Sequence, residues 1–398
     1  MKTKLVLVLL SLTALSVGCR MHGGSANRDY REIHGKTIVA DLHSDTPLRL
    51  RDGFDFSKRD TTGHMDLPRL KDGGVDLQVF ACWLPTNTPK EKCRATADLL
   101  IDSLEASIKR HPDTIAICTT AKQLRTLISA GKIAAFIGIE NGVAIADTLA
   151  NLKHFYDRGV RYMTLTHTAS SDWCISSADT APAFHGLTEF GRSVVREMNR
   201  LGMIIDVSHA SKEAVDEVLN ITTAPVIASH SCVYAICPHN RNLTDDQIKA
   251  IAKNGGVIGV NFWNAYLSAD VMRIRDSVIA AHKVELDSIV ALYKNDRQAS
   301  DKAMDPIYAA ADSAEKQINI TVEDLVNQID YIVKLVGPDY VGLGSDFDGI
   351  PNAPIGVDDC SRLPNITKEL VRRGYSERDI AKILGGNFMR VFAKVSKN

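Results

Sequence analysis

The chain has 398 residues, 45% of them hydrophobic and 24% charged, the composition of a globular protein able to bury a sizeable core. Its 47 basic residues face 48 acidic ones, a formal net charge of −1 without any basic block. That balance speaks against nucleic acid or an anionic membrane surface as an electrostatically recruited partner.

Lys2 and Lys4 precede an apolar stretch, 5–10 and 12–17, too short to span a bilayer, which ends in Leu15-Ser16-Val17-Gly18-Cys19. Small residues before a cysteine resemble the bacterial lipobox, in which the cysteine is lipidated and becomes the new N-terminus. The expectation is a signal peptide over 1–18, a lipid on Cys19, and a short tether over 19–29. The mature protein is then exported to the cell envelope or periplasm and touches membrane only through that lipid. An ordinary signal peptide cut nearby is the alternative. The seven other cysteines are scattered and form no C-x-x-C, which argues against a thiolate metal cluster, and an oxidising compartment permits one or two bridges.

From residue 38 onward, short apolar runs alternate with segments of helical period. Runs at 38–43, 77–83, 134–140, 162–167, 203–209, 225–230, 257–262 and 340–346 read as strands covered on both faces. Helices are expected at 95–110, 121–130, 145–158, 188–201, 211–219, 245–253, 322–336 and 376–394. Thr321 and Ser376 each stand three residues before an aspartate, a capping-box pattern, and Gly131, Gly159 and Gly202 follow helices where a left-handed residue is wanted. Eight strands alternating with helices fit a (β/α)8 barrel, and the absence of G-x-G-x-x-G after the first strand counts against a dinucleotide fold. Residues 264–320 are too many for one connection. Their apolar spacing predicts a helical insertion between the seventh and eighth strands of a single domain, 30–398.

Six runs end in residues that bind metal or move protons: His43 with Asp45, Glu140, His167, His209, His230 and Asp346. In a barrel all strand C-termini meet at one mouth. Imidazoles and carboxylates without thiolates suit zinc, manganese or iron. Their number exceeds one tetrahedral shell and argues for two ions sharing a carboxylate, with His43 and Asp45 on one, His209 and His230 on the other, and Glu140 between. His64, His185 and His239 read as hydrogen-bonded loop residues, Asp348 as a brace, and Trp83, Trp173 and Trp263 as either pocket wall or packing.

The runs Asp41-Leu42-His43-Ser44-Asp45, Asp66-Leu67-Pro68-Arg69-Leu70, Gly138-Ile139-Glu140-Asn141-Gly142, Leu165-Thr166-His167, Ile205-Asp206-Val207-Ser208-His209, Ala228-Ser229-His230-Ser231, Arg241-Asn242, Gly344-Ser345-Asp346-Phe347-Asp348-Gly349 and the closing 385–392 come in an order that resembles the membrane (renal) dipeptidase family, a branch of the amidohydrolase superfamily. The resemblance implies a barrel with two zinc ions that hydrolyses dipeptides. A metal-bridged hydroxide is the expected nucleophile, tolerance of a D-residue beside the L-residue at the C-terminal position is left open, and a homodimer is the candidate assembly. It gives His43, Asp45, Glu140, His209 and His230 as metal ligands and His167 as a contact at the reacting carbonyl. Arg241 is given as the clamp on the substrate carboxylate and Asp346 as the acid/base. Two features depart from the family pattern: Asn141-Gly142-Val143 where relatives often have Gly-Gly-His, and the long insertion. Hydrolysis of a lactone, cyclic amide, β-lactam or phosphoester, and a non-catalytic exported peptide- or metal-binding lipoprotein, are the competing readings.

Overall fold

The computed structural model describes residues 29–294 and 297–396. The expected signal peptide and Cys19 lie outside these residues. Among the described residues there are nine parallel strands: β1 (Ala40–Asp41), β2 (Leu77–Trp83), β3 (Ile115–Ile117), β4 (Ile133–Glu140), β5 (Val160–Thr164), β6 (Ile204–Asp206), β7 (Ile227–Ala228), β8 (Val257–Val260) and β9 (Val341–Leu343). Eight of them close a ring in the order β1-β2-β4-β5-β6-β7-β8-β9, with β9 pairing back to β1 through Asp41 and Leu343. The fold is a (β/α)8 barrel. The ninth strand, β3, lies outside the ring and pairs only with the first three residues of β4, where β5 has not yet begun.

Ring closure is tied by a buried carboxylate. Asp41 accepts from the backbone N–H and hydroxyl of Ser345 (2.8 and 2.6 Å) on one side and from Gln78 (3.0 Å) on the other. The barrel interior is filled by one inward residue or pair from most strands, including Leu42, Val79, Phe136, Tyr162, Ile204, Ile227 and Val257. Its floor is the last helix, Asn387–Val395, whose Phe388 and Phe392 meet the Phe136 ring edge-on at 5.6 and 4.9 Å. A π-helical turn, Lys382–Gly386, breaks the single helix expected at 376–394. It brings Gly385 so close to β1 that a Cβ there would stand 2.6 Å from the Ile38 carbonyl.

All the expected strands but β2 and β4 end earlier than their apolar runs. β1, β7 and β9 stop two or three residues short of His43, His230 and Asp346, which therefore sit in loops at the mouth. The insertion is helical, as Asn264–Leu267, Ala269–Ala281, Lys283–Leu292 and Arg297–Glu315. Thr321 and Asp324 form the expected capping box, and Gly131, Gly159 and Gly202 have φ of 69°, 94° and 82°. All seven described cysteines are buried and free, so the bridges that an oxidising compartment permits are not formed. Among the described residues no helix is long and apolar enough to cross a membrane.

Candidate metal centre and active site

Glu140 ends the longest strand, buried along its whole length, and its carboxylate faces both ways across the mouth. Oε2 lies 3.4 Å from His43 Nε2; Oε1 lies 3.1 Å from His209 Nε2, 3.3 Å from His230 Nε2 and 3.7 Å from His167 Nε2. His43 Nε2 is also 3.9 Å from Asp346 Oδ1. Donor atoms lie within 4.8 Å of one another in three overlapping groups: His43, Glu140 and His230; Glu140, His167 and His209; His43, Asp45 and Asp346. The division into one pair of ligands on each side of Glu140 is therefore less clean than the sequence suggests. The His230 ring lies nearer to His43 (centroids 3.7 Å) than to His209 (5.0 Å), and His167 stands among the donors.

The imidazoles are held from beneath. Ser229 donates its hydroxyl hydrogen to Asp206 Oδ2 (2.6 Å) and so accepts from His230 Nδ1–H (2.7 Å), which leaves the Nε2 lone pair pointing into the cavity. Tyr162 donates to the Leu42 carbonyl (3.3 Å) and accepts from His43 Nδ1 (2.8 Å), again presenting Nε2. The Tyr162 ring fits because residue 138 is glycine: a Cβ there would stand 2.5 Å from it. His209 and Asp346 take φ of 67° and 62°, and Asp348 takes 66°. Left-handed backbone at three non-glycine positions costs of order 1–3 kcal/mol each and is held by the surrounding bonds. Asp348 does the bracing, accepting from Thr46 (2.8 Å), the His64 N–H (2.6 Å) and Arg49 (3.3 Å).

Electrostatically the site calls for cations. Burial alone would lower the His43 imidazole, but the carboxylates of Glu140, Asp45 and Asp346 overcome it and lift it to about 10. Burial likewise opposes ionisation of Glu140, yet the imidazoles around it hold it well below the usual carboxylate range. Burial, then repulsion from Glu140, pushes Asp45 well up. Burial and the nearby Arg241 push His209 down, and burial, His43 and Arg241 do the same to His230, so both are neutral donors. His43 Nε2 and Asp45 Oδ1 are buried without a hydrogen-bond partner, a cost of roughly 1–3 kcal/mol per atom when nothing takes them. Neutral imidazoles with inward lone pairs, crowded carboxylates and orphaned donor atoms fit a centre for divalent cations.

A family model described as membrane dipeptidase (peptidase family M19) matches residues 27–398. The chain belongs to the membrane dipeptidase family. Mouse (Mus musculus) dipeptidase 3 is 32% identical over 369 residues, 90% of this chain and 64% of that protein, so the chain spans just under two thirds of that relative's length. The probable dipeptidase PvdM from Pseudomonas aeruginosa superposes with a TM-score of 0.78 at 29% identity, covering 92% of this chain and 97% of that one. A metallopeptidase from Rhodobacter sphaeroides, liganded with a phosphinate mimic of L-Ala-D-Ala, gives 0.74 at 25% identity, with 90% and 100% covered.

In this membrane dipeptidase homologue a cavity of about 150 Å³ brings together Asp45, Glu140, His167, His209, His230, Arg241 and Asp346, while His43 lies beneath it. Arg241 is 5% exposed and donates to Ser231 Oγ (2.8 Å) and the His230 carbonyl (2.7 Å); its Nε is buried without a partner. Of the tryptophans, Trp263 lines the cavity, Trp83 packs edge-on against His167 at 5.4 Å, and Trp173 is core. His64 stacks on Phe347, His239 accepts from the Arg241 N–H, and His185 is exposed. Asn141 (φ 86°) bonds to Leu84 and Thr86, and Gly142 admits Trp173, for which a Cβ would leave 2.4 Å. Tyr162, Asp206, Ser229, Asn261 and Tyr266 also shape the site. Only Asp206 and Ser229 had a sequence signal, their place inside motif runs.

Proposed function

We propose that the chain hydrolyses dipeptides at a centre holding two zinc ions. His43 and Asp45 would hold one ion, His209 and His230 the other, with Glu140 shared between them. When bound, the ions lower the pKa of a water and polarise the scissile carbonyl. The observation that carries the substrate class is Arg241: a buried guanidinium at the cavity wall with no carboxylate partner among the described residues and an unmet Nε–H. It suits the free carboxylate at a dipeptide's end, where a planar, always-charged fork is wanted.

With that end fixed, the peptide bond lies over Glu140 and beneath His167, which donates to the oxyanion as it develops. Asp346, held through Oδ2 by Asn261 (2.8 Å), takes the proton from the attacking water and returns it to the leaving amine. Burial, with help from Glu140 against the opposing His43, lifts this carboxyl to about 6, suited to moving a proton both ways near neutrality. The related Rhodobacter enzyme's L-Ala-D-Ala mimic supports tolerance of a D-residue at the C-terminal position. The charged, apolar and small-residue order of 1–19 supports export with a lipid on Cys19, which incorporation of labelled fatty acid into wild type but not Cys19→Ala would show.

The test is amino-acid release from Ala-Ala. A chelator is expected to stop it and zinc to restore it. Arg241→Lys is expected to raise KM for dipeptides about tenfold or more with bound zinc unchanged. Full activity in chelator, or an equal rise in KM on neutral-ended amides in Arg241→Lys, would overturn the reading.

A further inference from the structure

The insertion reaches back into the active-site wall. Glu315, at the C-terminal end of helix Arg297–Glu315, is fully buried. Its Oε2 accepts from Trp263 Nε1 (3.3 Å) and Asn352 Nδ2 (3.0 Å), while Oε1 pairs with Arg275 of helix Ala269–Ala281. Arg275 also pairs with Asp312, one turn before Glu315, and lays its guanidinium over the Trp263 ring at 5.0 Å. The indole is thus fixed at its N–H by a carboxylate and on its face by a cation. The indole also meets Tyr266, edge-to-face at 4.5 Å, and that ring stands 5.9 Å from the Arg241 guanidinium. Trp263 and Tyr266 both line the cavity that holds Asp346 and Arg241.

We propose that Arg275 and Glu315 are positioning residues that pin Trp263 and thereby restrict the substrate's C-terminal residue to small side chains. The proposal rests on the dipeptidase reading, because it is the carboxylate at Arg241 that places that residue against the Trp263–Tyr266 wall. A wall tied to two inserted helices and to the loop bearing Asn352 does not swing aside, and Trp263 and Tyr266 bound the cavity beside Arg241, where the C-terminal side chain has to fit. Removing Arg275 leaves the Glu315 carboxylate buried and unpaired, and neutralising Glu315 leaves Arg275 only Asp312, which draws it off the ring, so either change frees the indole.

The experiment measures kcat/KM for Ala-Gly, Ala-Ala, Ala-Leu and Ala-Phe with full-length wild type, Glu315→Gln, Arg275→Met and Arg275→Lys, each with its zinc content determined. Glu315→Gln and Arg275→Met are expected to raise the Ala-Phe to Ala-Gly ratio about tenfold, mainly through KM, on the scale that one or two methylenes set in a pocket. Arg275→Lys is expected to keep the wild-type ratio, and zinc content to stay the same throughout. A ratio unchanged in both variants, or an equal fall on every dipeptide, overturns the proposal. Trp263→Ala, which shortens the wall and leaves both members of the ion pair in the chain, must shift the ratio the same way even if Glu315→Gln fails to fold. A wild type that cleaves no dipeptide overturns the underlying reading instead.

Discussion

At position 349 a methyl group would stand 2.0 Å from Asp45 Oδ2 and 2.7 Å from Asp346 Oδ1, in the loop that Asp348 braces. Gly349→Ala is therefore expected to displace the Asp45 carboxylate, so that the purified protein carries less metal and little activity while its unfolding midpoint barely moves. Elemental analysis beside a thermal melt checks this; full metal loading would refute it. Ser229 acts one step further out. Its hydroxyl fixes which His230 nitrogen faces the cavity, and Ser229→Ala is expected to weaken metal affinity about 10–100-fold in chelator competition. Retained affinity would show that the tautomer needs no help. His43, Asp45, Glu140, His209 and His230 stood out in the sequence because each closes an apolar run. Tyr162 did not, because its role depends on the space left by Gly138, on the neighbouring strand, and an apolar run containing a tyrosine looks like ordinary core.

Helix Tyr30–Lys36 shows how an element is anchored by one polar residue. His34 bridges the Gly73 carbonyl (Nε2, 2.9 Å) and the Thr367 hydroxyl (Nδ1, 2.7 Å) of helix Pro364–Arg372, and burial lowers its pKa despite the Gly73 contact. The unfolded chain then takes up a proton first as pH falls. The stability from this group is complete above about pH 6.5 and is lost as the pH drops from there toward the lower folded value. His34→Gln is expected to flatten the dependence of the urea midpoint on pH over that window; an identical slope in both proteins would rule the linkage out. Neither this helix nor Thr46–Arg51 was legible in the sequence. The first is seven residues long, and the second has Pro47 in its first turn but no side-chain cap from Asp45. β3 escaped for the same reason: Ile115-Ala116-Ile117 is too short to show a period. The long strands β2 and β4, and helices 245–253 and 322–336, were legible because pattern, caps and length agree.

Across the whole molecule, a ring of short strands is kept closed by what fills it. Phe392 is fully buried between the Phe136 and Phe388 rings, and Phe392→Ala is expected to cost about 3–5 kcal/mol in denaturant unfolding, a loss no surface compensation removes. A cost below about 1 kcal/mol would mean the floor is dispensable. Asn387 adds to it by donating to the Pro338 and Val341 carbonyls at 2.7 and 2.8 Å, and Arg390 by reaching the Gly256 and Asp339 carbonyls. The glycines, asparagine and aromatics of 385–392 thus have a packing reason, which sequence order alone did not supply. This arrangement has a temporal consequence. β1 waits for Ser345, some three hundred residues downstream, and the barrel interior waits for Phe388 and Phe392, so a ribosome must finish nearly the whole polypeptide before the ring can shut. Until then the nascent chain remains open, and the mouth with its candidate metal ligands is assembled only after the last turn has been delivered.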